Sequence, residues 1–224
     1  MRLLELLFFA ITNPIYNAWL LVLEVCTFAG HWWWWKLRLK LLLLYLPEGP
    51  YRLAMREASK VGLAQENLIY GETPCLTVKK ILERISPSAK DVLLDLGCGR
   101  GLVVLTSYYC FGMSAVGIDI LPSFVERGRK LVGWLADTKV EFIEADIRNL
   151  PDEMLDAATV VYLASTTFDD EQMQRIVTCL ERAKAGTRLI TLSEAFPSPA
   201  YRLIYSEEFY FSWGKTEVYF HEKI

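Results

Sequence analysis

The pattern of apolar and polar positions divides the chain into two parts. Residues 1–46 carry long apolar runs, whereas residues 47–224 alternate between apolar and polar stretches as a folded domain does. The turn Pro47–Pro50 separates them, because proline and glycine end helices and mark turns. We therefore predict an apolar helical segment over residues 1–46 and a single domain over residues 47–224.

The first part has the features of a membrane segment. Residues 14–35 form an almost wholly apolar run, about as long as the roughly 20 residues that a helix needs to cross a bilayer. The run ends in Trp32–Trp35, followed by cationic residues, as is typical of a membrane interface. A spanning helix would bury Glu24 at a cost of roughly 2.5–3.5 kcal/mol, whereas a helix lying in the interface would leave it in water. Packing on the folded domain is the third alternative. We expect membrane association through residues 1–46, with the domain on the cytoplasmic side.

Strands and helices alternate along the second part. Short apolar runs predict strands, and longer amphipathic stretches predict the helices between them. This alternation predicts a Rossmann-like, doubly wound α/β sheet of parallel strands, closed by a C-terminal antiparallel hairpin of two aromatic strands. The predicted strands cover residues 91–96, 114–120, 140–143, 158–164, 188–193, 201–211 and 217–221, and predicted helices cover residues 51–61, 102–110, 122–136 and 171–185.

Composition excludes several classes of protein. The formal net charge is −3, which provides no electrostatic footprint for nucleic acid, so we expect no nucleic-acid partner. The five cysteines are widely spaced without a C-x-x-C pair, and the chain has only two histidines. We therefore expect neither a disulfide framework nor a metal site.

A glycine-rich turn follows the first predicted strand of the domain. It runs from Asp95 to Gly101 with the sequence D-L-G-C-G-R-G and leads directly into a helix. Glycines let the backbone approach a bound cofactor with no Cβ in the way, and free N–H groups at a helix N-terminus bind a carboxylate. A nicotinamide dehydrogenase is the chemical alternative, and it is disfavoured because the third glycine comes one residue too early for G-x-G-x-x-G.

Acidic residues follow the next two predicted strands. Asp119 lies about 18 residues after Gly101, close to the spacing at which an acid accepts hydrogen bonds from ribose hydroxyls. Asp146 follows the third strand, where it can accept from an adenine amino group while Ile147 packs on the ring. The carboxyl ends of parallel strands meet at one edge of a sheet, so these residues predict one nucleoside-binding site.

With these features, residues 91–193 resemble the class I S-adenosylmethionine-dependent methyltransferases. The resemblance implies S-adenosyl-L-methionine as the cofactor, with the glycine turn beneath its methionine part and Asp95 paired with its ammonium group. It implies a cofactor site that contains Asp95, Gly97, Gly99, Gly101, Asp119, Ile120, Asp146 and Ile147.

Residues 68–224 also resemble the non-SET lysine methyltransferases of the disruptor-of-telomeric-silencing type. Two segments carry this resemblance: Tyr70–Thr73, with the sequence Y-G-E-T, and residues 212–221, with S-W-G-K followed by V-Y-F-H. It implies that Glu72 and Thr73 lie in a loop over the cofactor. The apolar N-terminal segment is similar to that of membrane-anchored lysine methyltransferases of mitochondria and their prokaryotic relatives.

The chain departs from this lysine methyltransferase family at two places. After the fourth strand the family has Asn-Asn-Phe-Ala-Phe, whereas this chain has Ala164–Phe168, in which Ser165 replaces the amide side chain. In the C-terminal pair of tyrosines, Val218 replaces the first and Tyr219 is the second. We expect Ser165 and Tyr219 to be catalytic residues at the substrate mouth, and a histone substrate is disfavoured.

We therefore expect a methyltransferase that methylates a protein lysine or similar amine near a membrane. One alternative is a methyltransferase acting on a lipid-soluble small molecule of the quinone or isoprenoid type. Another is a module that binds the cofactor without catalysis.

Overall fold

A seven-stranded sheet forms the centre of the fold in the computed structural model, which describes residues 2–46, 48–58, 71–135, 139–164 and 168–224, with side chains from residue 13 onward. The strands are β1 (Val92–Leu96), β2 (Ser114–Asp119), β3 (Val140–Glu144), β4 (Val160–Leu163), β5 (Arg188–Leu192), β6 (Tyr201–Phe211) and β7 (Gly214–Lys223). The helices are α1 (Arg2–Phe28), α2 (Trp32–Tyr45), α3 (Pro50–Ala58), α4 (Cys75–Glu83), α5 (Leu102–Phe111), α6 (Pro122–Leu135), α7 (Asp152–Ala157) and α8 (Asp170–Leu180).

The order of the strands is β3-β2-β1-β4-β5-β7-β6. Strands β1 to β5 pair in parallel, and β7 runs antiparallel to both β5 and β6. Helices cover both faces of the sheet, so Leu93 packs in one core and Leu94 in the other. This burial on both faces explains why the central strands are nearly continuous apolar runs. The predicted Rossmann-like α/β sheet with a C-terminal antiparallel hairpin is confirmed.

The direction of the strand order reverses at β1, which lies between β2 and β4. In open α/β sheets, ligands bind outside the carboxyl ends of the strands at such a switch point. The register pairs Asp95 with Gly117, and Asp119 with Glu144. The three predicted nucleoside-binding segments are thereby brought to the same edge of the sheet.

The apolar N-terminal residues form two helices rather than one continuous helix. Helix α1 ends at Phe28 and α2 begins at Trp32, so a turn interrupts the apolar run. One face of α2 carries buried side chains at helical spacing, and these side chains belong to the same core as strand β1. The buried side chains of α2 are Trp33, Trp34, Leu37, Leu41 and Tyr45.

The expected membrane association of residues 1–46, with the domain on the cytoplasmic side, is wrong. Over the residues that the structure describes, no helix is long and apolar enough to cross a membrane. Trp33 instead stacks on Tyr109 of α5, with 4.9 Å between the ring centroids, and Trp34 stacks on Phe28. The apolar run has the length of a membrane segment, but its length does not show which surface it covers. The division of the chain at residue 47 stays a prediction.

Glu24 joins the two N-terminal helices to the domain. Its side chain is only 2% exposed, forms an ion pair with Arg38 of α2, and accepts a hydrogen bond from the backbone N–H of Leu76 at 3.0 Å. Leu76 lies in the first turn of α4, where the helix dipole favours a negative charge. The charge that a spanning helix would have to bury in lipid is therefore paired inside the protein.

Replacing Glu24 with alanine should lower the free energy of unfolding by about 2–3 kcal/mol, because it leaves the Arg38 charge and the Leu76 N–H without their acceptor. The expected loss is below that of a fully buried pair, since the Arg38 side chain is 31% exposed. Urea unfolding followed by circular dichroism measures it. The double variant Glu24→Leu/Arg38→Leu should recover most of the loss, because no unpaired charge remains. A single variant as stable as the unmodified protein would contradict this role for Glu24.

Candidate functional site

A cavity of about 220 Å³ opens at the carboxyl ends of β1, β2 and β3. The glycine turn after β1 forms part of its lining, and the loop before α4 lies at another side. The structure thus brings together most of the predicted cofactor site. The predicted residues that line the cavity are Glu72, Thr73, Asp95, Gly97, Gly99, Asp119, Ile120, Asp146 and Ile147.

Asp119 organises the glycine turn from the end of β2. Its Oδ2 accepts a hydrogen bond from the Gly99 N–H at 2.8 Å, and its Oδ1 accepts one from the Leu121 N–H at 2.9 Å. The side chain is buried, and burial raises its pKa to about 6 against the opposing effect of these N–H donors. Asp119 can therefore both shape the turn and offer its remaining acceptor sites to a ligand in the cavity.

Asp95 presents an unsatisfied acceptor at the end of β1. The residue is 3% exposed, and among the residues that the structure describes its Oδ2 has no hydrogen-bond partner. Burial, and secondarily the charge of Asp119, raise the pKa of Asp95 well above its ordinary value. A buried carboxyl group in this state is stabilised as an anion only when a cation or hydrogen-bond donor reaches it.

Asp146 lies at the cavity edge with its carboxylate already engaged. Arg148 donates to it from the backbone N–H at 2.9 Å and from the guanidinium, with Nη2 at 2.6 Å from Oδ2. This pairing lowers the pKa of Asp146 and keeps the group ionised. Ile147 is 9% exposed beside it and supplies an apolar surface to the cavity.

The loop before α4 is held at the cavity by side chains from three other elements. The guanidinium of Arg100 forms a two-pronged ion pair with Glu72, joining the loop to the glycine turn. The hydroxyls of Thr73 and Tyr162 share a hydrogen bond of 2.9 Å, and Ser212 Oγ donates to the Glu72 carbonyl at 3.1 Å. These contacts connect the loop to β4 and to the β6–β7 hairpin.

Two of the predicted residues that the structure describes do not line this cavity. They are Gly101 and Tyr219 of β7, and the Tyr219 hydroxyl donates a hydrogen bond to Glu217 at 3.1 Å. Ser165 lies outside the described residues, as does Tyr70 of the Y-G-E-T segment. The assignment of Ser165 and Tyr219 as catalytic residues stays a prediction, and the observed position of Tyr219 does not support it.

Several cavity residues were missed as cofactor-site residues in the sequence analysis. Two of them could have been found from the sequence. Arg100 lies inside the glycine motif, and Tyr162 is the one tyrosine of the apolar strand β4, where a buried hydroxyl needs a hydrogen-bond partner. Ala54 and Phe124 could not have been found, because an apolar residue on a helix does not indicate which face of the helix contacts a ligand. The other lining residues outside the predicted cofactor set include Phe168, Gln172 and Trp213.

A family model described as "Methyltransferase domain" matches residues 93–185, which contain β1 except its first residue, β2 to β4 and most of the cavity lining. Residues 93–185 form a class I S-adenosylmethionine-dependent methyltransferase domain. An RNA methyltransferase from Salinibacter ruber, solved with S-adenosyl-L-homocysteine, superposes with a TM-score of 0.57 at 26% identity. It covers 68% of this chain, and the match spans 93% of that chain.

Curated relatives of the methyltransferase domain differ in their names. The chain is 32% identical over 138 residues to a histone-lysine N-methyltransferase, H3 lysine-79 specific, of Caenorhabditis elegans, covering 56% of this chain and 15% of that protein. It is 34% identical over 106 residues to the carboxy-S-adenosyl-L-methionine synthase of Erwinia tasmaniensis, covering 46% and 43%. A protein-lysine N-methyltransferase of Saccharolobus islandicus is 29% identical over 131 residues, covering 54% and 74%. The chain thus spans less than half the length of the first two relatives.

The cofactor of the methyltransferase domain is S-adenosyl-L-methionine, and the residues of the cavity fit it. The unpaired Oδ2 of Asp95 suits the ammonium group of the methionine part. Gly97 has a φ of +83°, and a Cβ added there would meet nothing within 4 Å, so the missing side chain leaves space at the cavity floor. Asp119 and Ile147 offer an acceptor and an apolar surface for the ribose and adenine parts.

Gly101 packs against Phe142 of β3 in a space too small for a side chain. Its φ is +79°, and a Cβ added there would lie 2.3 Å from Cζ of Phe142 on β3. Gly101→Ala should therefore lower the free energy of unfolding by about 3 kcal/mol, from overpacking and left-handed backbone strain together. Gly133→Ala, at a helical position with open space, is the matched control. Thermal unfolding measures both, and equal stability of the two variants would contradict the packing role.

Proposed function

We propose that this protein transfers a methyl group from S-adenosyl-L-methionine to an amine nitrogen, on a protein lysine or a similar amine. The observation that carries the proposal is one cavity that contains the unpaired acceptor of Asp95, the Asp119-bound glycine turn and a wall of aromatic side chains. Relatives named as lysine methyltransferases support the same acceptor class.

The aromatic wall suits an acceptor that becomes a cation. Tyr162, Phe168 and Trp213 line the same cavity as Asp95. When bound, the cofactor supplies an electrophilic methyl group on a positively charged sulfur, and an amine that accepts it gains the positive charge. Aromatic ring faces stabilise such a cation. The amine must first lose its proton, which solvent or a nearby acid can accept.

The hydrogen bond between Thr73 and Tyr162 supports positioning of the acceptor. Both residues line the cavity and both are buried, with Tyr162 2% exposed. Burial raises the pKa of the Tyr162 phenol, so it stays protonated at neutral pH. These residues hold the loop at the cavity in a fixed geometry, and methyl transfer depends mainly on such positioning.

A second candidate is methylation of an apolar small molecule. Trp19 of α1 and Tyr210 of β6 are 42% and 40% exposed and make an edge-to-face contact with 5.2 Å between their centroids. Tyr210 lies three residues before Trp213, which lines the cavity, so apolar surface is available close to the cavity. An acceptor with an apolar tail could contact this surface.

One labelling experiment separates these candidates. Cell lysate is incubated with the protein and cofactor carrying a radioactive methyl group, then divided into protein, lipid and nucleic-acid fractions. We expect label in the protein fraction, released as N-methylated lysine on acid hydrolysis and lost with the Asp95→Asn variant. Label only in the lipid extract would favour the apolar acceptor, and label in the nucleic acid would contradict both candidates. Cofactor binding by calorimetry without any transferred label would indicate a non-catalytic module.

A further inference from the structure

We propose that Tyr45, near the C-terminal end of α2, is a positioning residue for the cofactor site. Its ring holds the guanidinium of Arg100, and Arg100 in turn fixes the loop that carries Glu72. The second N-terminal helix would then contribute to cofactor affinity although Tyr45 does not line the cavity.

Two guanidinium groups lie close to the ring of Tyr45. Tyr45 is 6% exposed. The guanidinium carbons of Arg127 and Arg100 lie 4.5 Å and 5.4 Å from the centroid of its ring, and the centroid of the Phe124 ring lies 6.2 Å away. An aromatic face attracts a cation at these distances, and the attraction is stronger where water is excluded. Burial raises the pKa of the Tyr45 phenol, so the ring stays neutral beside the two cations.

Arg100 transmits the position of Tyr45 to the cofactor site. It lies between Gly99 and Gly101, both of which have positive φ. Since neither glycine has a side chain, Arg100 is the residue of this tripeptide whose side chain can make contacts. Its guanidinium binds both oxygens of Glu72, and the Arg100 and Glu72 side chains are only 16% and 22% exposed. Since Arg100 and Glu72 both line the cavity, one side chain connects its floor to the loop before α4.

Helix α2 offers a matched contact that does not reach the cavity. Tyr45 contacts Arg127 of α6, and Lys40 lies 4.6 Å from the ring centroid of Trp134 on the same helix. Helix α2 therefore docks on α6 through two cation–π pairs. Neither Lys40 nor Trp134 lines the cavity. General docking of α2 and specific positioning of Arg100 can therefore be separated.

The test is the affinity for S-adenosyl-L-homocysteine, measured by titration calorimetry on the full chain. Tyr45→Leu should raise the Kd about tenfold, equivalent to about 1.4 kcal/mol. Tyr45→Phe should restore the affinity to within twofold, because the ring is kept. Replacing Tyr45 with trifluorinated phenylalanine keeps the packing but weakens the negative potential of the ring face, and it should raise the Kd several-fold. This variant tests the proposal even if Tyr45→Leu does not fold.

Two further variants identify the route. Trp134→Leu should leave the Kd within twofold, although it also loosens α2. In the background of Arg100→Leu, Tyr45→Leu should cause little additional loss, because the residue through which Tyr45 acts is gone. An equal loss from Trp134→Leu, unchanged affinity of the fluorinated variant, or additive losses in the double variant would each overturn the proposal.

Discussion

Replacing Asp95 with asparagine should weaken binding of S-adenosyl-L-methionine about 100-fold, equivalent to about 2.7 kcal/mol, and should stabilise the cofactor-free protein. Asp95 is buried and its Oδ2 has no hydrogen-bond partner among the described residues, so the variant loses the anion that the cofactor ammonium would meet. Without cofactor, the same buried anion lowers the free energy of unfolding, because no described cation or hydrogen-bond donor compensates the loss of its hydration at Oδ2. Sites that are poised to bind often reduce stability in this way.

The stabilising effect of Asp95→Asn should depend on pH in a defined direction. Burial, and then the charge of Asp119, raise the pKa of Asp95 in the folded protein well above its ordinary value of 3.8. Below 3.8 the group is protonated in both states and costs nothing. As the pH rises from there through the folded pKa, the unfolded chain ionises first and the folded protein loses stability. The advantage of the variant should therefore grow over this window and level off above the folded pKa.

Calorimetry and thermal unfolding test both parts of this prediction. We expect the cofactor-free Asp95→Asn variant to melt at least about 2 °C higher at neutral pH, since 1 kcal/mol shifts the Tm of a domain of this size by about 2–4 °C. Asp156→Asn is the control, because Asp156 is exposed and does not line the cavity, and it should change neither quantity. Unaltered cofactor affinity in Asp95→Asn would exclude Asp95 as the ammonium partner.

The second large effect is expected for Asp119→Ala, which should weaken cofactor binding about 10- to 150-fold, equivalent to about 1.5–3 kcal/mol. The substitution removes the expected ribose acceptor and also leaves the N–H groups of Gly99 and Leu121 without their partner. The glycine turn should then lose its fixed conformation. Asp119→Asn keeps one acceptor oxygen and should show an intermediate loss.

Glu144 provides the matched control for Asp119. It pairs with Asp119 in the register of β2 and β3, is also acidic, and does not line the cavity. Glu144→Ala should leave the Kd unchanged when both variants are measured by calorimetry in the same buffer. If the two substitutions weaken binding equally, the effect comes from the general charge at this edge and not from the contacts of Asp119.

Local pattern was sufficient to predict most of the sheet. Strand β1 was predicted at residues 91–96 and lies at Val92–Leu96, and the strands that follow it agree to within a few residues. Short helix α7 was missed, because six residues carry too little periodicity. The cofactor cavity was largely predictable for the same reason: its acids directly follow strands, and parallel strands must end at one edge.

Contacts between distant parts of the chain were not predictable. Glu24 pairs with Arg38 and the N-terminus of α4, and Tyr45 contacts Arg100. The sequence around these residues does not indicate which residue each of them contacts. The apolar stripe of α2 would suit lipid or a protein core equally well, since both bury apolar surface. The membrane prediction failed at this point.

The order of residues by itself determined the α/β sheet, the glycine turn and the acids at the strand ends, because each depends on chemistry within a few neighbouring positions. Tertiary structure alone decided that the N-terminal helices dock on the domain, that Gly101 packs against Phe142, and that Tyr219 does not line the cavity. The physical reason is that burial and ion pairing depend on which surfaces meet in space, and an apolar or charged side chain does not specify its partner.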